Sequence, residues 1–346
     1  MISRGYMAER RKKRARIRPF LTVLALLLVF ATLVVATSLV KADRLMKEVS
    51  EPIPPYATNM LPSFRSISFL SGGGQITLKG WLVKPESETR RGTVIFFHNQ
   101  GGNRLPFGLD TIALIKELSR QGFYTLAFDL RHSGESEGGM ASFGYAEKED
   151  VLAAMDWTIR NLPQSPLILF GFGSGTAAIM RALQTLEAES KQTEDEDAAE
   201  AAAGQLNQIG AIIADSPARD SDAFIRAAVR QDNRSLLFWL PELTPYAIRM
   251  SVGKSERQDY FAYFSSLPYP VMILGHEKDD FLKESDYRPM IDERLRLHPE
   301  RTDTHFLPGT GHLKAYIENP DAYMDSLIIF LDRWFPASAK QKLPAH

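Results

Sequence analysis

Phe64–Leu70 and Ile76–Val83 alternate apolar and polar side chains roughly with a period of two. Successive side chains of a strand point to opposite faces, so this period predicts strands covered on one side. Ser71, Gly72, Gly73 and Gly74 lie between them and predict the turn of a hairpin. Gly92–His98 is apolar on both faces, as a central parallel strand must be. Gly122–Asp129, Pro166–Phe172, Ile209–Asp215 and Tyr269–Leu274 read as further strands, and Thr304–Leu307 as a weaker last one. Between them the period changes. A helix is expected from about Asp110 to Arg120, and another from Glu147 to Arg160 with Val151, Met155 and Ile159 on one face. Further helices are expected after Gly175, over Ser221–Arg230, and over Asp321–Trp334. Strands alternating with helices predict an α/β fold, a mainly parallel sheet with helices on both faces.

The amino terminus has a different pattern. No residue from Pro19 to Val40 is charged, and these 22 residues, at about 1.5 Å each, match the roughly 30 Å hydrocarbon core of a bilayer. Eight Arg and Lys residues against Glu9 alone precede the run over 1–18. Such a cluster stays cytoplasmic, which places the rest of the chain outside. The expected layout is a basic cytoplasmic tail 1–18, a single-pass transmembrane anchor 19–40, and a tether of low regularity over 41–62. A main domain 63–335 and a tail 336–346 follow. The rival reading is a secreted protein released by signal cleavage near Ala36, although the apolar run exceeds the usual h-region. Within the main domain, 187–207 is an acidic insertion, read as a solvated helix extension or a disordered surface segment. Residues 219–268 read as a short cap bearing Phe238, Trp239, Leu240 and Tyr246.

Composition narrows the chemistry. The net charge of −1 gives no global signal for nucleic acid. The chain has no cysteine, which excludes disulfides, thiolate metal sites, cysteine catalysis and a lipobox. Neither a metalloprotease helix motif, nor a Walker loop, nor a dinucleotide fingerprint is present. No cofactor and no metal is therefore expected. Oligomeric state leaves no mark in the sequence.

Pro166–Ala178 carries the chemical signal: an apolar run, then Gly171-Phe-Gly-Ser-Gly175, then an alanine-rich run. It looks like the nucleophile elbow G-x-S-x-G, in which a serine stands on a sharp strand-to-helix turn. With Gly171 and Gly175 at the flanking positions, Gly173 takes the centre and Ser174 comes one residue late. Sliding the register to centre Ser174 would put Phe172 and Thr176 where strand and helix come closest. Sterics therefore favour Gly173 at the nucleophile position.

With four other features in order, the chain over about 64–335 resembles the α/β-hydrolase superfamily, particularly the short-cap bacterial serine hydrolases related to the Bem46-like group. Those features are the loop His98–Asn103, Asp129 with Arg131–Ser136, Gly275–Asp279, and Gly309–His312. The resemblance implies an α/β-hydrolase fold and the order nucleophile, acid, histidine. Asp279 matches the acid, with Asp280 as its neighbour and rival, and His312 matches the base. The oxyanion hole falls to the backbone N–H groups of Gln100 and Ser174. His98 reads as a structural hydrogen-bonding residue, and Arg131 and Ser136 as loop architecture. Where relatives show His-Gly, this chain has His98-Asn99.

Glycine has no oxygen with which to attack a carbonyl. The leading expectation is a membrane-anchored, catalytically degenerate hydrolase-like protein that keeps a pocket for an acyl, ester, lipid or cell-envelope ligand. The alternative is an active ester, amide or lipid hydrolase that uses Ser174 or a water activated by His312. Non-hydrolytic chemistry on the same scaffold is a third class, with no residue pattern of its own.

Overall fold

The computed structural model describes residues 3–232, 237–253, 257 and 259–337. The tail expected over 336–346 lies outside them from residue 338 onward. The described residues form an eight-stranded sheet in the order β1-β2-β4-β3-β5-β6-β7-β8. The strands are β1 Phe64–Ser71, β2 Ile76–Val83, β3 Gly92–Phe97, β4 Phe123–Phe128, β5 Leu167–Phe172, β6 Ile209–Asp215, β7 Val271–Lys278 and β8 Thr302–Thr310. β1 and β2 form the expected hairpin, with Phe64 opposite Val83, and β2 also runs antiparallel to β4. Every pairing from β4 through β3 to β8 is parallel. The central strands β3, β4 and β5 are buried at every position, which is why their sequences do not alternate.

The helices are α1 Ser3–Met46, a single turn α2 Ala57–Met60, α3 Thr111–Arg120, α4 Lys148–Asn161, α5 Ser174–Gln192, α6 Glu196–Asn207, α7 Ser221–Asp232, α8 Leu240–Ser251, α9 Phe261–Ser266, α10 Arg288–Leu297, another single turn α11 Ala315–Glu318, and α12 Pro320–Trp334. They give the sheet a core on each face. Leu167 and Leu169 of β5 join one, with residues of α4, α5, α7 and α8; Ile168, Phe170 and Phe172 join the other, with residues of α3 and α12. Phe96 meets Phe170 and Phe172 edge-on at 5.5 and 5.4 Å, and Phe107 meets Phe172 at 5.3 Å, so rings fill the space beneath the elbow.

Of two regions to set against expectation, the first takes the helix-extension reading and adds a second helix. The acidic stretch 187–207 is an ordered helical hairpin, in which α5 continues to Gln192 and the Asp195 side chain caps α6 by accepting from Ala198 N at 3.1 Å. The larger difference is at 41–62, which is not a loose tether. The first residues continue α1 to Met46, and Ala42, Leu45 and Met46 are buried in the core. Their spacing of three, four and one puts them on one helical face, while exposed Asp43, Arg44 and Lys47 occupy the other. The chain beyond stays on the domain: Glu51 N donates to Gly101 O at 3.1 Å, Gly134 N to Ser50 Oγ at 2.7 Å, and Asn103 Nδ2 to Glu51 O at 2.9 Å. α1 thus contains the one stretch, among the described residues, long and apolar enough to cross a membrane, and it runs without a break into the domain.

Candidate active site

Gly173 makes the turn between β5 and α5 with φ 51° and ψ −119°, a left-handed conformation that side chains other than glycine adopt only with strain. A Cβ built at Gly173 lies 2.6 Å from Asn99 Oδ1 and 3.1 Å from His312 Nε2. The tip of the turn therefore points at an imidazole and presents no side chain to it. At Gly175 a Cβ would fall 1.9 Å from the carbonyl oxygen of Phe97, so helix and strand meet there with room for hydrogen alone. That contact fixes the register of the elbow and leaves Ser174 in the first turn of α5, beside the tip.

Ser174 is buried, and its hydroxyl is committed. Oγ accepts from Gln100 N at 2.9 Å and donates to Asn99 Oδ1 at 2.8 Å; Ser174 N donates to the same Oδ1 at 2.9 Å. Both backbone donors expected to form an oxyanion hole thus already have partners. Gln100 N is held by the serine hydroxyl and Ser174 N by the Asn99 carboxamide. Sequence reasoning missed this network; its one visible trace is Asn99, the residue that follows His98. Gln100 is anchored by its side chain as well, with Nε2 donating to Leu45 O at 3.0 Å and Oε1 accepting from Phe143 N at 3.1 Å. The end of α1 is thereby fastened to the loop that carries the donor.

His312 follows β8, and its Nδ1 lies 2.7 Å from Asp279 Oδ2, beyond the end of β7. The other oxygen of Asp279 accepts from Phe281 N and Leu282 N at 2.8 and 2.7 Å. Burial pushes this carboxyl up, but the hydrogen bond and charge of His312, helped by those two N–H groups, more than offset it. Its pKa is left below the ordinary carboxylate value. An ionised Asp279 makes Nδ1 the protonated nitrogen, so neutral His312 carries its lone pair on Nε2, the atom facing Gly173. Nε2 is buried and has no hydrogen-bond partner among the described residues. Asp280 takes a separate part: its Oδ1 accepts from His312 N at 3.0 Å and so holds the backbone, not the ring. Phe281 lies against the imidazole at 4.8 Å between centroids.

A second support was not legible in the sequence. Ser216, at φ 52°, accepts from Leu313 N at 3.3 Å and donates to Asp215 Oδ1 at 2.8 Å, while Asp215 Oδ2 accepts from Tyr323 OH at 2.8 Å. The chain after His312 is thus pinned to the end of β6. Burial raises the pKa of Asp215 despite these two hydroxyl donors.

His98 stands apart from the His312 pair. Its Nε2 accepts from Leu130 N at 2.9 Å, which leaves Nδ1 to donate to Asn99 O at 2.8 Å, and burial lowers its pKa. It is a neutral ring joining two loops. Arg131 pairs with buried Asp150 at 2.7 Å, and Ser136 Oγ donates to Asp129 O at 2.6 Å. Asp129 also accepts from Arg104 N and Arg104 Nη2 at 2.8 and 2.5 Å, closing the loops around β3 and β4.

A model of the alpha/beta hydrolase family matches residues 94–326. Among solved structures, an esterase of Pyrococcus furiosus superposes with a TM-score of 0.61 at 20% identity, over 84% of this chain and 99% of that one. An α/β serine hydrolase without lid from Xanthomonas campestris gives 0.50 at 17%, over 83% and 100%. A thermophilic esterase of Thermogutta terrifontis gives 0.52 at 13%, over 78% and 99%. No curated protein matches the chain.

Proposed function

Because this chain belongs to the alpha/beta hydrolase family and yet has glycine at the tip of its elbow, we propose that it receives an ester- or acyl-bearing small molecule or lipid without forming an acyl-serine intermediate. The observation that carries this reading is the Asn99 carboxamide, whose Oδ1 takes both the N–H and the hydroxyl of Ser174. A serine bound in this way already gives its proton to a carboxamide, which is no base, and the donors that would stabilise an oxyanion are engaged. The proposed protein is an esterase-like scaffold in which Asp279 and His312 remain as a polar, oriented recognition pair.

A second reading is favoured by the free face of His312 and by a kinship that includes esterases. Here His312 Nε2 takes a proton from a water that attacks the ester carbonyl directly. The geometry that supports it is the 3.1 Å from Nε2 to the point where a Gly173 Cβ would stand, which puts a general base beside the space a serine side chain would fill. This route needs His312 and Asp279 and makes no use of the Ser174 hydroxyl as a nucleophile.

We place the domain on the outer face of a membrane, with 19–40 as its anchor and 1–18 on the cytoplasmic side. Supporting this over a cleaved signal is the contact between Phe30 and Trp239 of the cap, which cleavage near Ala36 would remove.

The test is hydrolysis of a short-chain p-nitrophenyl ester by the full chain, with binding of its ketone isostere followed through the ring resonances of His312. Binding without turnover supports the recognition reading. Turnover lost in His312→Ala but kept in Ser174→Ala supports the water route. Turnover lost in Ser174→Ala together with an acylated Ser174 overturns both.

A further inference from the structure

We infer that the outer face of α8 is a bilayer-contact surface, which seats the cap in the outer leaflet beside α1. This rests on the proposed reading of 19–40 as a membrane anchor. Trp239, Leu243, Tyr246 and Met250 fall at intervals of four, three and four, so they share one stripe within about 60° of the helix circumference. Phe238, just before the helix, is 80% exposed, and Met250, Tyr246 and Leu243 are 52%, 49% and 37% exposed. The opposite side, with Leu240, Thr244, Ala247 and Ile248, is buried. Soluble proteins rarely leave an apolar stripe of this kind uncovered, and such a surface marks an interaction site.

The occupant is indicated by what the stripe adjoins. α8 packs against α1. The ring of Trp239 meets Phe30 edge-on at 5.6 Å, and its Nε1 donates to Thr37 Oγ1 at 3.2 Å. Phe30 stands ten residues before Val40, about 15 Å along the helix axis and so about halfway through the apolar run. If 19–40 crosses the bilayer, the leading edge of α8 must be at the depth of acyl chains or at their boundary with the headgroups. Tilting of α1 lessens the depth without removing the contact. The charges on α8 fit this placement. Arg249 turns inward to Asp222, and Glu242 stands on the flank of the stripe, from which it must reach the headgroups. Phe238 and Trp239 are the residue types that gather at such a boundary. Beyond Thr37 the same helix α1 continues to Leu45, whose carbonyl holds Gln100, so the helix beside α8 is also the one fastened to the candidate site.

The chain has no cysteine, so single-cysteine variants can report position without further changes. Leu243→Cys, Tyr246→Cys, Leu26→Cys in the apolar run and exposed Ile329→Cys on α12 are each labelled with an environment-sensitive nitrobenzoxadiazole dye. The full chains are then placed in phosphatidylcholine vesicles containing a share of phosphatidylcholine doxyl-labelled close to the headgroup. The expected result is quenching of the Leu243 and Tyr246 probes about twofold beyond Ile329, as burial to about 5–10 Å requires, with Leu26 also reached by lipid quenchers. Quenching at Leu26 but not at Leu243 or Tyr246 overturns the inference and leaves the anchor standing. Loss of quenching at Leu26 as well removes the anchor reading itself. A Leu243 probe shielded from water but untouched by doxyl lipid also overturns the inference, because a protein, whether a second copy or another chain, then covers the face.

Discussion

Restoring a serine at the elbow should fail unless its surroundings change with it. In Gly173→Ser the new Cβ lies 2.6 Å from Asn99 Oδ1 and 2.9 Å from Asn99 Cγ, so the carboxamide must leave. Its departure forfeits two hydrogen bonds, about 0.5–1.5 kcal/mol each, and a serine held at φ 51° costs about 1–3 kcal/mol. The single variant should therefore lose about 2–6 kcal/mol, and its Tm should fall by about 2–4 °C for each. Asn99→Gly in the same chain removes the collision, and the displaced carboxamide no longer competes for Ser174 N. Gln100 N stays bound to Ser174 Oγ until Ser174→Ala releases it. One oxyanion-hole donor is worth about 10²–10³ in kcat. Hydrolysis of p-nitrophenyl butyrate should thus be weak in Gly173→Ser and higher with Asn99→Gly. Adding Ser174→Ala should raise it again by about that factor, and intact mass should show acylation at position 173. A Gly173→Ser protein as stable as the natural one and as active as the triple variant would refute the reasoning, since Asn99 and Ser174 would then block nothing.

Three further outcomes follow from the same contacts. The folded pKa of Asp279 is depressed, so its contribution to stability is present above the ordinary carboxylate value of about 3.9 and is lost as pH falls through the lower folded value. Asp279→Asn should consequently lower the Tm at neutral pH, and the gap to the natural chain should narrow on acidification, read by a pH series of thermal melts. Gln100→Ala removes the bonds to Leu45 O and Phe143 N. It should cost about 1–3 kcal/mol and hasten proteolytic cleavage over 41–51. Gly175→Ala should lose more than about 4 kcal/mol, because its methyl group would meet the Phe97 carbonyl with no flexible side chain to give way; recovery of folded protein measures it.

Much of this was legible in the chain because it depends on local geometry. The hairpin turn, the doubly covered strands and the glycine spacing of the elbow each follow from period or from steric limits. Asp279 and His312 were singled out through the family resemblance, their hydrogen bond became visible only in three dimensions, and so did the separate part of adjacent Asp280. The Asn99 network was not legible. Its meaning depends on where a three-bond side chain points across two loops 75 residues apart in sequence. Residues 41–46 were misread for a different reason. The charges of Lys41, Asp43 and Arg44 masked the apolar face formed by Ala42, Leu45 and Met46, whose spacing was a helical signal all along. β8 runs longer than its apolar core suggests, to Thr310, because pairing with β7 extends it past the shielded positions.

The central claim is that the natural chain handles its ligand without an acyl-serine, and fluorophosphonate labelling of the full chain followed by peptide mapping tests it most directly. The account predicts no adduct on Ser174, and an adduct at position 173 once Gly173→Ser, Asn99→Gly and Ser174→Ala are combined. An adduct on Ser174 of the natural chain that disappears in His312→Ala would contradict it, because the hydroxyl held by Asn99 and Gln100 would then be a working nucleophile.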